Sequence, residues 1–161
     1  MNAPDIMRYG HVTVLGTLEQ VPVDLANEPG ACGAWSVKDI AAHLGSYECV
    51  LVDILSEVLG EGPAPVLDRF REQGTAFNDA EVEARADRTL AGVLGELNAT
   101  HASALDLLAR FEPEFLRRPG TIAWYGPDYA LDDLFVYMYY GHKREHAAQI
   151  DAFRDRMRAK R

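Results

Sequence analysis

Apolar residues recur every three to four positions along much of the chain, a spacing that predicts amphipathic helices. The clearest run covers residues 36–59. At its start Ser36 is suited to cap the free amides, and Asp39 can reach back to complete a capping box. Trp35 and Ile40, on either side of the cap, can form a hydrophobic staple. The sequence therefore predicts a long helix with a sharply defined start.

A second run of apolar residues predicts one continuous helix over about residues 79–111. The start of this run has the same pattern as the first, a capping box and a hydrophobic staple. Asn78 is suited to be the N-cap, and Glu81 can complete a capping box. Phe77 can then form a staple with Val82.

Two further helices complete the predicted architecture. Residues 131–157 predict a helix with a basic last turn, and residues 5–20 predict a weaker one. No segment reads as a convincing strand, so the expected fold class is all-α, a four-helix bundle. The predicted connections cover residues 21–35, 60–78 and 112–129. They are long for a bundle, so at least one long crossover connection is expected.

The bulk composition predicts one ordinary globular domain. The chain has 161 residues, of which 48% are apolar, enough for a core, and residues 1–161 are assigned to a single domain. The formal charge of -9 repels phosphate backbones, which argues against nucleic acid as a partner. A basic cluster at the C-terminus is interpreted as complementing a helix dipole rather than as a binding tail. It consists of Arg154, Arg156, Arg158, Lys160 and Arg161.

No sequence feature indicates export or a membrane. The chain opens without a secretory pattern, and its longest apolar run, residues 134–140, is far too short to span a bilayer. A cytoplasmic location is therefore expected. In that reducing compartment Cys32 and Cys49 would be free thiols.

The histidines are the strongest candidates for chemistry. They are His11, His43, His101, His142 and His146. His142 and His146 are four residues apart on a predicted helix, so both imidazoles lie on one face and can reach one metal ion. Two core histidines with satisfied ring nitrogens would have the same spacing. The spacing alone leaves metal binding and core packing open.

A mononuclear site needs a third protein ligand, with other positions left open for water or substrate. His43 and His101 both lie on predicted helices, and the residues alone do not choose between them. His11 lies on the weakest helix and is predicted to be exposed.

Two motifs about a hundred residues apart carry a family resemblance. They are residues 35–44 (WSVKDIAAHL) and residues 141–150 (GHKREHAAQI). In this order they resemble the DinB-like superfamily, whose relatives include the thiol-dependent maleylpyruvate isomerases. In that superfamily a Trp-Ser-x-x-(Asp/Glu) helix start leads to a first histidine, and a His-x-x-x-His on the last helix provides two more. The resemblance implies His43, His142 and His146 as metal ligands. It leaves His101 as a core histidine or as one that supports a metal ligand, and the core role is preferred.

The resemblance also implies a homodimer and a divalent metal ion held by three imidazoles, a ligand set that suits both zinc and nickel. The first hypothesis is an enzyme in which the ion activates a low-molecular-weight thiol or a water toward a small electrophilic molecule. A thiol-dependent S-transferase is preferred, with a hydrolase second. In the maleylpyruvate isomerase branch a glutamate stands where His142 stands here, which argues against that particular activity. The alternative is a non-catalytic metal-binding or stress-associated bundle whose ion stabilises the fold.

Other interpretations of this region are weaker. Residues 142–146 match the His-x-x-Glu-His of inverted zinc proteases, but those enzymes are far larger and need a distant acidic ligand. A ferritin-like di-iron site would need Glu-x-x-His pairs, which the chain lacks. Tyr137, Tyr139 and Tyr140 are interpreted as packing in the core or at a dimer seam rather than as the wall of a pocket.

Overall fold

The computed structural model describes residues 2–160. Its regular secondary structure is entirely helical, with no strand in that range. Its α-helices are α1 (Ala3–Glu19), α2 (Val37–Val58), α3 (Pro65–Gln73), α4 (Ala76–Glu83), α5 (Leu90–Leu108), α6 (Pro113–Leu116), α7 (Leu131–Leu134) and α8 (His142–Arg158). A 3-10 turn covers Val23–Leu25, and a π-helical segment, Phe135–Gly141, joins α7 to α8. The all-α fold class is confirmed. None of the helices in residues 2–160 combines the length and apolarity needed to cross a membrane.

The long helices α1, α2, α5 and α8 form the body of the molecule. Helix α2 packs mainly on α5, and α1 packs mainly on α8. Weaker contacts between α1 and α5 and between α2 and α8 close the ring. Helices α1 and α2 are consecutive among the long helices but not neighbours in this ring, and the same holds for α5 and α8. The connections between them therefore cross the bundle, as the long predicted connections require.

The buried interior divides into two apolar clusters along the bundle. The first cluster includes Met7, Leu51, Ala104 and Tyr139. The second cluster includes Val14, Leu44, Leu97 and Ala147. The second cluster takes residues from all four long helices, whereas the first takes them from α1, α2, α5 and the π-helical segment before α8.

The predicted start of α2 is confirmed. The Ser36 hydroxyl accepts a hydrogen bond from the Asp39 amide at 3.1 Å. In return the Ser36 amide donates to the Asp39 carboxylate at 2.9 Å. Because this capping box fixes where α2 begins, it also fixes the phase of every side chain along the helix.

The single helix predicted over residues 79–111 is wrong. Helix α4 begins at Ala76 and ends at Glu83, and α5 begins only at Leu90, so residues 84–89 interrupt the helix. Asn78 is not an N-cap, because its side chain accepts a hydrogen bond from the Tyr47 hydroxyl at 3.2 Å. Thr89 caps α5 instead, by accepting from the Gly92 amide at 3.1 Å.

Contacts from other helices hold this interruption in place. The Lys38 ammonium donates to the backbone carbonyls of Ala86 and Arg88 at 2.5 and 3.2 Å. The predicted connection 60–78 likewise contains helix α3, whose first amides are capped from a distance. There the Asp53 carboxylate accepts from the amides of Val66 and Leu67 at 2.7 and 3.1 Å. Neither partner is local in sequence, so these two contacts could not be recognised from a local pattern. The helix starts themselves carry local signals, Thr89 as the N-cap of α5 and Pro65 at the first position of α3.

The basic residues at the C-terminus partly follow the prediction. Arg156 and Arg158 lie in the last turn of α8, where positive charge complements the helix dipole. Arg154 is largely buried and pairs with Asp151 at 2.6 Å. Arg161 lies outside the described residues.

Tyr139 offers a test of the packing in the first cluster. Its hydroxyl is buried and has no hydrogen-bond partner among residues 2–160, and burial raises its pKa well above the usual tyrosine value. A buried polar group without a partner costs free energy. We therefore expect Tyr139→Phe to raise the free energy of unfolding by about 1 kcal/mol. Urea denaturation of the metal-free protein measures this. Tyr47→Phe is the control, because it removes a hydroxyl that is paired and should lower stability.

Candidate metal site

Three histidines from two distant parts of the chain meet at one point between α2 and α8. The Nε2 atom of His142 lies 2.9 Å from that of His43 and 3.0 Å from that of His146. All three ligand atoms lie within 4.8 Å of one another. Two nitrogens bound to one ion at about 2.0–2.1 Å are about 2.9–3.4 Å apart. The structure thus brings together all three residues named from the sequence, and the two separations that involve His142 are those expected of ligands to one ion.

The rotation of α8 depends on the π-helical segment that precedes it. His142 is the first residue of α8 and follows directly on Gly141, where the segment ends. A Cβ atom at position 141 would lie 3.1 Å from the carbonyl oxygen of Val136, so glycine relieves crowding inside the segment. Short π-helical stretches inside helices are frequent at functional sites, because they change which side chains face inward. The sequence did not predict this segment, and Gly141 is its only local signal.

Hydrogen bonds orient two of the three rings. The Nδ1 atom of His146 lies 2.8 Å from the Oε1 atom of Gln149 and donates its proton there. The His142 ring is hydrogen-bonded to the backbone carbonyl of Met138. In both rings the Nε2 lone pair is then free to face the common point, as metal-ligating histidines require.

His43 is held differently. Its Nδ1 atom is buried without a hydrogen-bond partner among the described residues. The ring is instead packed between Trp35 and Tyr47, with centroid distances of 4.9 and 4.7 Å. Trp35 is itself fixed by a hydrogen bond from its indole nitrogen to Asp79 on α4. Helix α4 and its contact with Trp35, neither of which was predicted, thus help to hold the His43 ring in place.

All three imidazoles are uncharged at neutral pH. Burial, reinforced by the neighbouring histidines, lowers the pKa of His43 to about 3. Burial also lowers the pKa of His142 to about 4, helped by His146 and Lys143, and it lowers the pKa of His146. A neutral imidazole keeps one lone pair. Three such lone pairs aimed at one point form a ligand set for a divalent cation.

One side of the site opens into a groove. The groove has a volume of about 410 Å³ and is lined by Tyr47, Tyr137, Met138, Gly141, His142 and Glu145. Tyr137 is 66% exposed and forms its outer edge. Tyr139 is buried in the first apolar cluster, as predicted for a tyrosine that packs in the core. The cluster is therefore buried at His43 and His146 and open to solvent at His142.

The two remaining histidines lie away from the site. His101 is buried, as expected of a core histidine. The predicted exposure of His11 is wrong, since only 8% of its surface is accessible. Its Nε2 atom pairs with the Asn98 side chain at 2.8 Å, and its ring stacks on His101 at 3.9 Å. The helical spacing of Met7, His11 and Val14 was the signal that could have revealed this.

Comparison with known proteins agrees with both motifs. The DinB superfamily model matches residues 10–150, a range that includes His43, His142 and His146. No curated protein and no solved structure matches the chain significantly. Since the family match covers most of the chain and the structure is all-α, the protein belongs to the DinB superfamily.

Proposed function

We propose that this protein is a divalent-metal-dependent enzyme whose ion is held by His43, His142 and His146. The observation that carries the proposal is the convergence of three neutral Nε2 atoms, with separations of 2.9 and 3.0 Å, beside an open groove. Three protein ligands leave coordination positions free, which is the arrangement of catalytic rather than purely structural zinc sites. Zinc and nickel both suit three imidazoles, and the ligand set does not separate them.

The residues of the chain have distinct roles in this proposal. His43, His142 and His146 bind the ion, and Gln149 keeps His146 in the required tautomer. Trp35 and Tyr47 cover the buried side of His43. When bound, the ion supplies a Lewis acid that lowers the pKa of a coordinated thiol or water.

The groove favours a small, largely uncharged substrate. Tyr47, Tyr137 and Met138 contribute aromatic and apolar surface to its walls, and Glu145 is the one charged residue that lines it. An anionic substrate would meet no basic group there. We propose a small electrophile as the substrate and a low-molecular-weight thiol as the nucleophile, which makes an S-transferase the first choice and a hydrolase the second. A homodimer is proposed from the family resemblance.

A second candidate is a metal site that mainly stabilises the fold. Helices α2 and α8 contact one another less than most neighbouring helices do, and the three histidines would link them through the ion. A structural ion of this kind would contribute directly to folding.

Cobalt substitution separates the two candidates. Metal-free protein is titrated with Co²⁺, and the visible spectrum is recorded before and after addition of 2-mercaptoethanol. An enzyme with an open position should bind one ion per chain and develop a thiolate-to-cobalt charge-transfer band when the thiol is added. The far-ultraviolet circular dichroism should remain helical after chelation. An unchanged spectrum with thiol, together with loss of helix on chelation, would support the structural candidate instead.

A further inference from the structure

A layer of buried polar side chains crosses the bundle between the two apolar clusters. Each long helix contributes one residue, and together they form the polar layer: His11 on α1, Glu48 on α2, His101 on α5 and Lys143 on α8. In each case a residue three or four positions to one side belongs to the first apolar cluster, and one three or four positions to the other side belongs to the second. For Lys143 the first-cluster residue is Tyr139, on the π-helical segment before α8. The layer is thus a polar cross-section that separates the two apolar clusters.

The centre of the polar layer is an ion pair removed from solvent. Glu48 is 0% exposed and Lys143 is 2% exposed, and the Lys143 ammonium donates a short hydrogen bond to the Glu48 carboxylate. The other carboxylate oxygen accepts from His101 Nδ1 at 3.3 Å. Burial raises the pKa of Glu48, but the charge of Lys143 and the hydrogen bond from His101 outweigh burial and hold that pKa below its usual value.

Stability alone is a poor reason for such a pair. Removing two charges from water carries a large desolvation penalty, and well-packed apolar residues of similar volume are often as stable or more stable. The best-attested benefit of a buried polar layer is that it fixes one register between helices, because any other register leaves a charge unpaired. An apolar cross-section would tolerate sliding or rotation far better.

The ion pair joins the same two helices that carry the histidine ligands. Glu48 lies five residues after His43 on α2, and Lys143 lies between His142 and His146 on α8. A shift of α8 by one residue would move its side chains by 1.5 Å along the axis and about 100° around it. Such a shift would turn His142 and His146 away from His43. Because a π-helical segment lies directly before α8, the rotation of α8 about its axis is not set by a continuous α-helix from α7.

We propose that the Glu48–Lys143 pair, together with His101, positions the metal ligands by fixing the register and rotation of α8 against α2. Glu48, His101 and Lys143 are positioning residues in this proposal and do not contact the ion. The inference rests on the proposed function, because it concerns the same three-histidine site.

The test removes the ion pair without removing volume. We compare Co²⁺ affinity and urea stability of the wild type, the double variant Glu48→Leu/Lys143→Met and the single variant Glu48→Gln. The double variant should be as stable as the wild type or more stable, while its Co²⁺ affinity falls by about tenfold or more, as for other groups that support metal ligands. Ile150→Val is the matched control. It removes one methyl group from a fully buried residue on α8, so it should lower stability and leave Co²⁺ affinity unchanged.

The outcomes are separable. Wild-type Co²⁺ affinity in the folded double variant would overturn the inference and leave the proposed function intact. If the double variant fails to fold, the Co²⁺ affinity of Glu48→Gln is used instead, measured under conditions in which that variant is fully folded. Reduced affinity in that variant supports the inference, and wild-type affinity overturns it. A wild-type chain that binds no Co²⁺ would overturn the proposed function, and the inference would fall with it.

Discussion

Replacement of His142 by alanine should abolish stoichiometric metal binding. His142 is the central ligand, since its Nε2 atom lies 2.9 Å from that of His43 and 3.0 Å from that of His146. Zinc binds to zinc-finger peptides with an apparent free energy of about 10–16 kcal/mol, or about 2.5–4 kcal/mol for each of four ligands, so loss of one ligand should cost on the order of 100- to 1,000-fold in affinity. Elemental analysis after dialysis against a defined free Zn²⁺ concentration measures this as ions per chain. His43→Ala should give the same result.

The control for this experiment is a buried histidine outside the site. His11→Phe keeps an aromatic ring against His101 and removes one imidazole from the chain. Its metal content should equal that of the wild type. One ion per chain in both His142→Ala and His43→Ala would contradict the proposed ligand set. Loss of the ion in His11→Phe would show that metal content reports on folding rather than on ligation.

The parts of this site that sequence could predict are those determined locally. The capping box of Ser36 and Asp39 involves residues three positions apart, and the structure contains it. His142 and His146 share a helix face through their spacing alone. The choice of His43 over His101 was different, since both lie on helical stripes and only the family resemblance separated them. In the structure His101 belongs to the polar layer, where its Nδ1 atom is hydrogen-bonded to Glu48, and it is not among the three histidines that come together.

The parts that could not be predicted depend on partners far away in the chain. The π-helical segment has no sequence signature beyond Gly141. Helix α3 is capped by Asp53 from α2, and residues 84–89 are held by Lys38 from the same helix. Such contacts exist only after the bundle has formed, so local propensity and periodicity do not contain them.

Arg85, at the interruption between α4 and α5, should be among the most sensitive positions for stability. Its guanidinium is buried and bonds both oxygens of Glu96, at 2.8 and 2.9 Å, and the carboxylate of Glu81 at 2.8 Å. Removal of Arg85 takes away the buried cation and leaves Glu81 only with Arg69 and Glu96 only with Arg88, two partners that are about half exposed. We expect Arg85→Met to lower the free energy of unfolding at pH 7 by about 2–4 kcal/mol, measured by urea denaturation. Arg110→Met is the control, because Arg110 pairs with Glu61 at the surface and its loss should not shift the midpoint measurably.

The stability difference between wild type and Arg85→Met should depend on pH if it arises from charge. Hydrogen bonds from Arg85 lower the pKa of Glu96, although burial opposes them. Burial raises the pKa of Glu81, but hydrogen bonds from Arg69 and Arg85 outweigh burial and lower it. Carboxylates with lowered pKa values stabilise the fold above the ordinary glutamate value of 4.5 and lose that contribution as they become protonated below it. The stability difference between wild type and Arg85→Met should thus be full at pH 7 and shrink below about pH 4.5. A difference of equal size at pH 7 and pH 3.5 would show that Arg85 acts through packing of its side chain and not through its charge.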